Sequence, residues 1–231
     1  LRLRSSVSQL FGSLCTIAFG GSAGPEAPIV VSGASIGSNI AQLFRLNERR
    51  RVAMVGCGVA GAISAIFNAP IAGIVFAVEV IIGEWTAIHL VPIGIASVVA
   101  TQVSRILRGN QIPFEHRVFN IHTLDLISCV GFAILLTGLS VLTCVVLPAI
   151  ESRMRRLFAN RWLRIITAGL VVGEIGFFFP DVLGEGYESV HRIIEQIDRP
   201  VLATALLIAL MKIVATSLTL GTGSAGGIFA P

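Results

Sequence analysis

Charge is scarce in this sequence of 231 residues: Asp, Glu, Lys and Arg together make up 13%, against roughly a quarter in a soluble domain. What charge there is lies in clusters. No Asp, Glu, Lys or Arg falls within Ser5–Pro25, Ala27–Phe44, Val52–Val78, Trp85–Ser104, Leu126–Ile150 or Ile213–Pro231. With no charges to form polar faces, these runs exclude a soluble all-helical core. Lysine is rarer still, Lys212 being the single one, so the net charge of +4 belongs to arginine. The basic clusters at Arg45–Arg51, Arg105–Arg117 and Arg153–Arg164 are separated by apolar spans. That spacing excludes a nucleic-acid patch and fits interfacial loops against lipid headgroups. One long span between the second and third clusters puts them on opposite faces, so membrane orientation stays open.

Reactive and ligating residues are equally sparse. Cys15, Cys57, Cys129 and Cys144 sit within apolar runs without metal-ligand spacing, which predicts buried small hydrophobes in place of disulfides or a metal site. His89, His116, His122 and His191 form no ligand set. No Gly-x-Ser-Gly nucleophile motif accompanies them, which excludes an intramembrane serine protease. No catalytic residue, metal or cofactor is expected. The chain opens without Met, shows no signal peptide and stops inside a motif, so both ends read as cut.

What the sequence has in abundance is apolar length. Hydrophobic residues are 54% and mean hydropathy is +0.86. Several uncharged runs reach the roughly 20 residues that cross a bilayer. Others are shorter or Gly-rich, as in broken or re-entrant helices buried in protein. Helices are predicted over Ser5–Ala18, Ala27–Phe44, Arg51–Ile66, Pro70–Gly83, Val91–Leu107, Thr123–Leu157, Trp162–Phe178, Tyr187–Ile197 and Val201–Leu218, with another starting at Gly227. Pro28 suits a first helical turn, where its missing N–H is harmless. Asn68-Ala-Pro70 ends one helix and starts the next, and Pro180–Gly186 is a turn signal. Gly33 and Gly37 make a GxxxG pair, and Gly58, Gly61 and Ser64 line much of one face of the next helix; such faces allow helix backbones to approach closely.

Two of the breaks nearly repeat. Gly-Ser-Ala-Gly-Pro-Glu-Ala-Pro occupies Gly21–Pro28, and Gly-Ser-Ala-Gly-Gly-Ile-Phe-Ala-Pro occupies Gly223–Pro231. Glycine and proline breaks at corresponding points of two halves point to a transporter site made from broken membrane helices. The N-terminus of such a helix offers N–H groups and a dipole to an anion. The two loops are expected to converge. Glu26 is a lone carboxylate inside the first, and an ionisable residue at membrane depth is costly and functional by default. It reads either as a carboxylate that imitates the anion or as an ordinary N-terminal cap.

These residues resemble the CLC family of chloride channels and chloride/proton antiporters. Gly24-Pro-Glu-Ala-Pro28, with Gly33 and Ile36-Gly37 after it, is similar to the family's Gly-Arg-Glu-Gly-Pro motif. Phe67-Asn-Ala-Pro-Ile-Ala-Gly-Ile-Val-Phe-Ala-Val-Glu79 resembles its helix-break motif, Pro180–Tyr187 a loop of its second half, and Lys212–Pro231 its second anion loop. The resemblance implies an all-α membrane protein, a CLC-type inverted-repeat bundle with broken and re-entrant helices. Residues 1–117 would be the later part of the first repeat and 118–231 the earlier part of the second, within a single transmembrane domain. It implies a multi-pass homodimer whose subunits each carry chloride or a similar small anion, with protons in coupled members. The family's serine-bearing loop and pore tyrosine would fall outside the chain, so selectivity among chloride, fluoride and nitrate stays open.

By the same resemblance Glu26 gates the pathway, blocking when ionised and swinging away when protonated. Backbone N–H groups of Glu26, Ala27, Ile228, Phe229 and Ala230 hold the anion, and Gly24, Gly226 and Gly227 shape the loops. Pro25 stands where arginine is common in the family, removing a donor and a charge. Val80 stands where coupled members carry an inner proton-relaying glutamate, which resembles the channel branch. Glu79 and Glu174 are secondary acids. One residue turns an α-helical side chain by about 100°, so Glu79 is expected in a structural role, paired near a helix end. Glu174 faces an inner vestibule or an interface, and Lys212 snorkels or pairs with a buried carboxylate.

Overall fold

The structure, a computed structural model, describes residues 3–110, 123–195 and 202–231. Among these the chain is helical, and the only sheet-like pairing is one isolated bridge. Four helices are long and apolar enough to cross a membrane. The chain divides into two compact units, Leu1–Gly12 with Pro25–Glu115, and Ser13–Gly24 with His116–Pro231.

The first unit holds α2 (Glu26–Leu43), α3 (Glu48–Phe67), α4 (Pro70–Phe76) and α5 (Ala87–Arg108). Asn47 starts α3 by accepting from Arg50 N at 3.1 Å, an N-cap that satisfies one orphan donor. Asn68 ends it in the left-handed region at φ 53°, where asparagine is tolerated, and Pro70 opens α4. The predicted close approach of α2 and α3 is present. A Cβ on Gly33 would run into the Gly58 carbonyl, and one on Gly37 into that of Met54. Ala34, Val59, Ala60, Ala77, Val78 and Ile93 form the core.

Beside that core runs a seam of hydroxyls. Ser64 Oγ meets Ser97 Oγ at 2.6 Å, Ser97 Oγ donates to Pro70 O at 2.6 Å, and Thr101 Oγ1 donates to Ser97 O at 2.9 Å. Each polar group is satisfied inside the protein, as a membrane interior demands.

Two predicted boundaries are corrected here. The segment expected as one helix over Pro70–Gly83 changes at Ala77 into a π-helix, Ala77–Ile82, which stops at Gly83 with φ 75°. The helix expected from Val91 begins at Ala87. Thr86 O accepts from His89 N and Leu90 N, so the turn is already closed ahead of Pro92. The proline then leaves a single carbonyl without its usual donor.

The second unit holds α6 (Thr123–Leu157), α7 (Arg161–Phe178), α8 (Tyr187–Glu195) and α9 (Leu202–Gly221), with a 3₁₀ turn at Pro180–Val182. The last turns of α1 (Leu3–Ala18) also belong to it. Asn160 caps α7 by accepting from Trp162 N at 2.9 Å. Val172, Val182 and Ala215 pack together. The cysteine expectation does not hold: Cys15, Cys129 and Cys144 are exposed and only Cys57 is partly buried. They lie on outward helix flanks, where an apolar thiol suits hydrocarbon as well as it suits a core. All four are free thiols.

Candidate functional site

The two repeated loops meet. Gly24 N donates to Gly227 O at 2.9 Å, and Gly227 N donates to Gly24 O at 2.7 Å. This reciprocal antiparallel pair is the isolated bridge of the fold. Each loop reaches it from a helix followed by a left-handed glycine. Gly20, at φ 81°, follows α1; its N–H bonds Ile17 O at 2.9 Å and the Gly21 N–H bonds Thr16 O at 2.8 Å, a Schellman stop. Gly223, at φ 96°, follows α9, and its N–H bonds Leu220 O at 3.0 Å. The backbone therefore equates Gly20 with Gly223 and Gly24 with Gly227, one residue away from the textual match of Gly-Ser-Ala-Gly strings. In this register Pro28 matches Pro231 and Glu26 matches Phe229.

The contact is tight. A Cβ on Gly226 would lie 2.6 Å from Ala23 Cβ. Ser22 Oγ and Thr216 Oγ1, both buried, meet at 2.8 Å and tie the first loop to α9. Both backbone groups of Gly227 pair with Gly24, and the four residues after it cannot close the helical turn predicted from Gly227, since Pro231 has no N–H to give. The N–H groups of Ile228 and Ala230 make no hydrogen bond among the described residues.

Glu26 is the first residue of α2, directly after the bridged loop, and only 2% of it is exposed. Pro25, not Glu26, occupies the N-cap position. The Ile29 N–H already bonds Pro25 O at 3.0 Å, so the helical ladder begins at the N-cap.

The other acids stand apart. Glu79 and Val80 both lie in the π-helix and both are exposed. Glu79 makes no ion pair or hydrogen bond among the described residues, contrary to the expected paired role. The π-helix also advances each side chain by less than an α-helix would, so the rotation inferred from sequence does not apply there. Glu174 is exposed on α7.

Lys212 follows neither expectation. Buried in α9, it donates from Nζ to Val182 O at 3.3 Å and Gly184 O at 3.2 Å. The carboxylate beside this loop, Asp181, is taken by Arg192 at 2.6 Å and by Ser189 Oγ at 2.9 Å. Gly186, at φ 90°, lets the ammonium pass, since a Cβ there would stand 2.8 Å from Nζ. The clamp was not legible beforehand: the lone lysine in an apolar run was visible, but its partners lie 28 and 30 residues earlier in the chain.

Comparison with known proteins agrees with these features. The voltage gated chloride channel family matches residues 1–231, the whole chain. A putative chloride channel protein, ClcB-like, from Ralstonia nicotianae is 29% identical over 100% of this chain and 54% of its own length. The crystal structure of a CLC-type fluoride/proton antiporter superposes with a TM-score of 0.75 at 24% identity, covering 90% of this chain and 52% of that one. A slow cyanobacterial Cl⁻/H⁺ antiporter gives 0.71 at 26% identity, covering 94% and 51%. The chain spans about half the length of these relatives. With its paired broken-helix loops, its apolar spanning helices and a family match from end to end, this integral, multi-pass membrane chain belongs to the CLC family of voltage-gated chloride channels and antiporters.

Proposed function

We propose that the protein carries chloride across a membrane through a pathway gated by Glu26, with the anion held by backbone N–H groups of Glu26, Ala27, Ile228, Phe229 and Ala230. One observation carries this reading: two broken-helix loops, distant in sequence, are bridged by the reciprocal Gly24–Gly227 pair. The bridge leaves one loop running into a buried carboxylate at a helix start and the other into the N–H groups of Ile228 and Ala230, which make no hydrogen bond among the described residues. The ionised carboxylate is the gate's closed state and mimics the anion; protonation releases the position to chloride. Pro25 supplies neither N–H nor charge, which weakens the outer end of the path.

Channel-like conduction is the preferred form, because Val80 cannot carry a proton. Exchange of chloride for protons is the second reading, supported by the 26%-identical cyanobacterial Cl⁻/H⁺ antiporter. It needs an inner proton route that avoids Val80, through water, Glu79 or Glu174. Reversal potentials of the full-length protein in a proton gradient separate the two. A potential that follows chloride alone means a channel, and one that shifts with the proton gradient means exchange. No anion flux from the reconstituted full-length protein would defeat both.

A further inference from the structure

The first unit carries an apolar groove of about 510 Å³, lined at one end by Ile29, one turn after Glu26 in α2. Ala62 and Ala65 of α3 and Ala100, Val103, Leu107 and Arg108 of α5 line it. The groove exists because alanine stands where leucine or isoleucine would fill the space between the helices. Its one wall hydroxyl, Ser104 Oγ, is committed to Ala65 O at 2.8 Å, so the wall offers no polar group along its length.

The far end is different. α5 carries its two charges, Arg105 and Arg108, in its last turn. The helix has 22 residues, which at 1.5 Å each spans about the 30 Å hydrocarbon core. The last turn therefore lies at headgroup depth. Arg105 Nε is anchored on Asn68 Oδ1 at 2.6 Å. Arg108 is exposed at the groove's end, and neither arginine is paired with a carboxylate among the described residues. An acyl-sized apolar channel that ends on two uncompensated guanidinium groups is complementary to one kind of molecule. Guanidinium also matches phosphate oxygens better than ammonium does.

We propose that this groove seats an acyl chain of an anionic phospholipid whose phosphate is held by Arg108, with Arg105 beside it. The site is not the stripe of Ile88, Ile95 and Val99 on the same helix. At about 100° per residue, the groove residues centre roughly a third of a turn away from that stripe.

The test uses the full-length protein in mild detergent, counting bound lipid per subunit by native mass spectrometry. The probes are phosphatidylglycerol and phosphatidylcholine with identical acyl chains. Wild type is expected to retain phosphatidylglycerol over phosphatidylcholine by roughly fivefold, the ratio that about 1 kcal/mol from the phosphate-holding Arg108 alone supplies. Arg108→Gln should bring phosphatidylglycerol down to the phosphatidylcholine level. Val103→Trp, at an exposed position, should narrow the groove and reduce both lipids, while excess inorganic phosphate changes neither. Equal retention of the two lipids by wild type, or unchanged retention in both variants, overturns the proposal. So does displacement by phosphate, which would reveal a free-anion site. A Val103→Trp protein that turns monomeric would show instead that a second subunit fills the groove.

Discussion

Glutamate and glutamine have nearly the same volume and differ mainly in charge, so Glu26→Gln isolates what the carboxylate does. If the buried carboxylate is the gate, chloride flux through the reconstituted full-length wild type rises as pH falls and the gate protonates. The Glu26→Gln protein should stay conductive and lose most of that dependence. A variant with wild-type pH dependence would reduce Glu26 to a residue of the helix start. Glu79 offers the contrast: it is exposed and has no partner among the described residues to lose, so Glu79→Gln should leave both yield and pH response near wild type. Removal of proton movement by Glu79→Gln would make it the inner relay and end the channel-like reading of Val80.

The paired loops test the same site through shape. Gly226→Val places a side chain against Ala23 and should break the Gly24–Gly227 pair. Losing two backbone hydrogen bonds costs about 1–3 kcal/mol, and anion flux should fall in protein that still folds in lipid. At this scale the sequence disclosed the residues and misplaced their register. String identity aligned Gly24 with Gly226, whereas the backbone aligns it with Gly227, because the glycine that ends each helix sets the equivalence and neighbouring serines do not.

At the scale of elements, the helices and their breaks were largely legible, since each break has a local cause in Asn68, Pro70, Gly83 or Gly186. What escaped were features that depend on partners. The π-helix at Ala77–Ile82 has no compositional mark, and the exact pairing of Gly24 with Gly227 joins residues far apart in the chain. Lys212 belongs here too, as the clamp of the 180–186 loop on α9. Lys212→Met would leave the Val182 and Gly184 carbonyls buried without a donor, at a cost of about 1–3 kcal/mol. Thermal unfolding of the full-length protein should fall by several degrees, with Lys212→Arg recovering part of the loss. An unchanged midpoint for Lys212→Met would mean that water serves those carbonyls. Within the first unit, Gly37→Leu drives a side chain into the Met54 carbonyl, and overpacking of this kind costs about 1–3 kcal/mol.

For the whole molecule, the open question is what covers the apolar flank of the first unit. Ile71, Ile81, Ile88, Ile95 and Val99 are exposed along the π-helix and its flanking helices α4 and α5, while Ile74, expected on the same face, packs into the core instead. A stripe this long, free of charge between Trp85 and Ser104, can meet lipid or another subunit, and the family resemblance favours a second copy. In lipid, association comes from close packing and not from hydrophobicity, so bulk added to the stripe should weaken a dimer more than lost apolar area would. Ile95→Trp with Val99→Trp should cost about 1–3 kcal/mol by overpacking and move full-length protein toward single photobleaching steps in dilute membranes. Flux per subunit should survive, because each subunit carries its own paired loops and Glu26. Val103→Trp, on the groove side of the same helix, should leave the dimer intact, so the pair of variants separates a protein-facing flank from a lipid-facing one. Wild-type protein that bleaches in one step at every lipid dilution would mean that the stripe faces lipid alone.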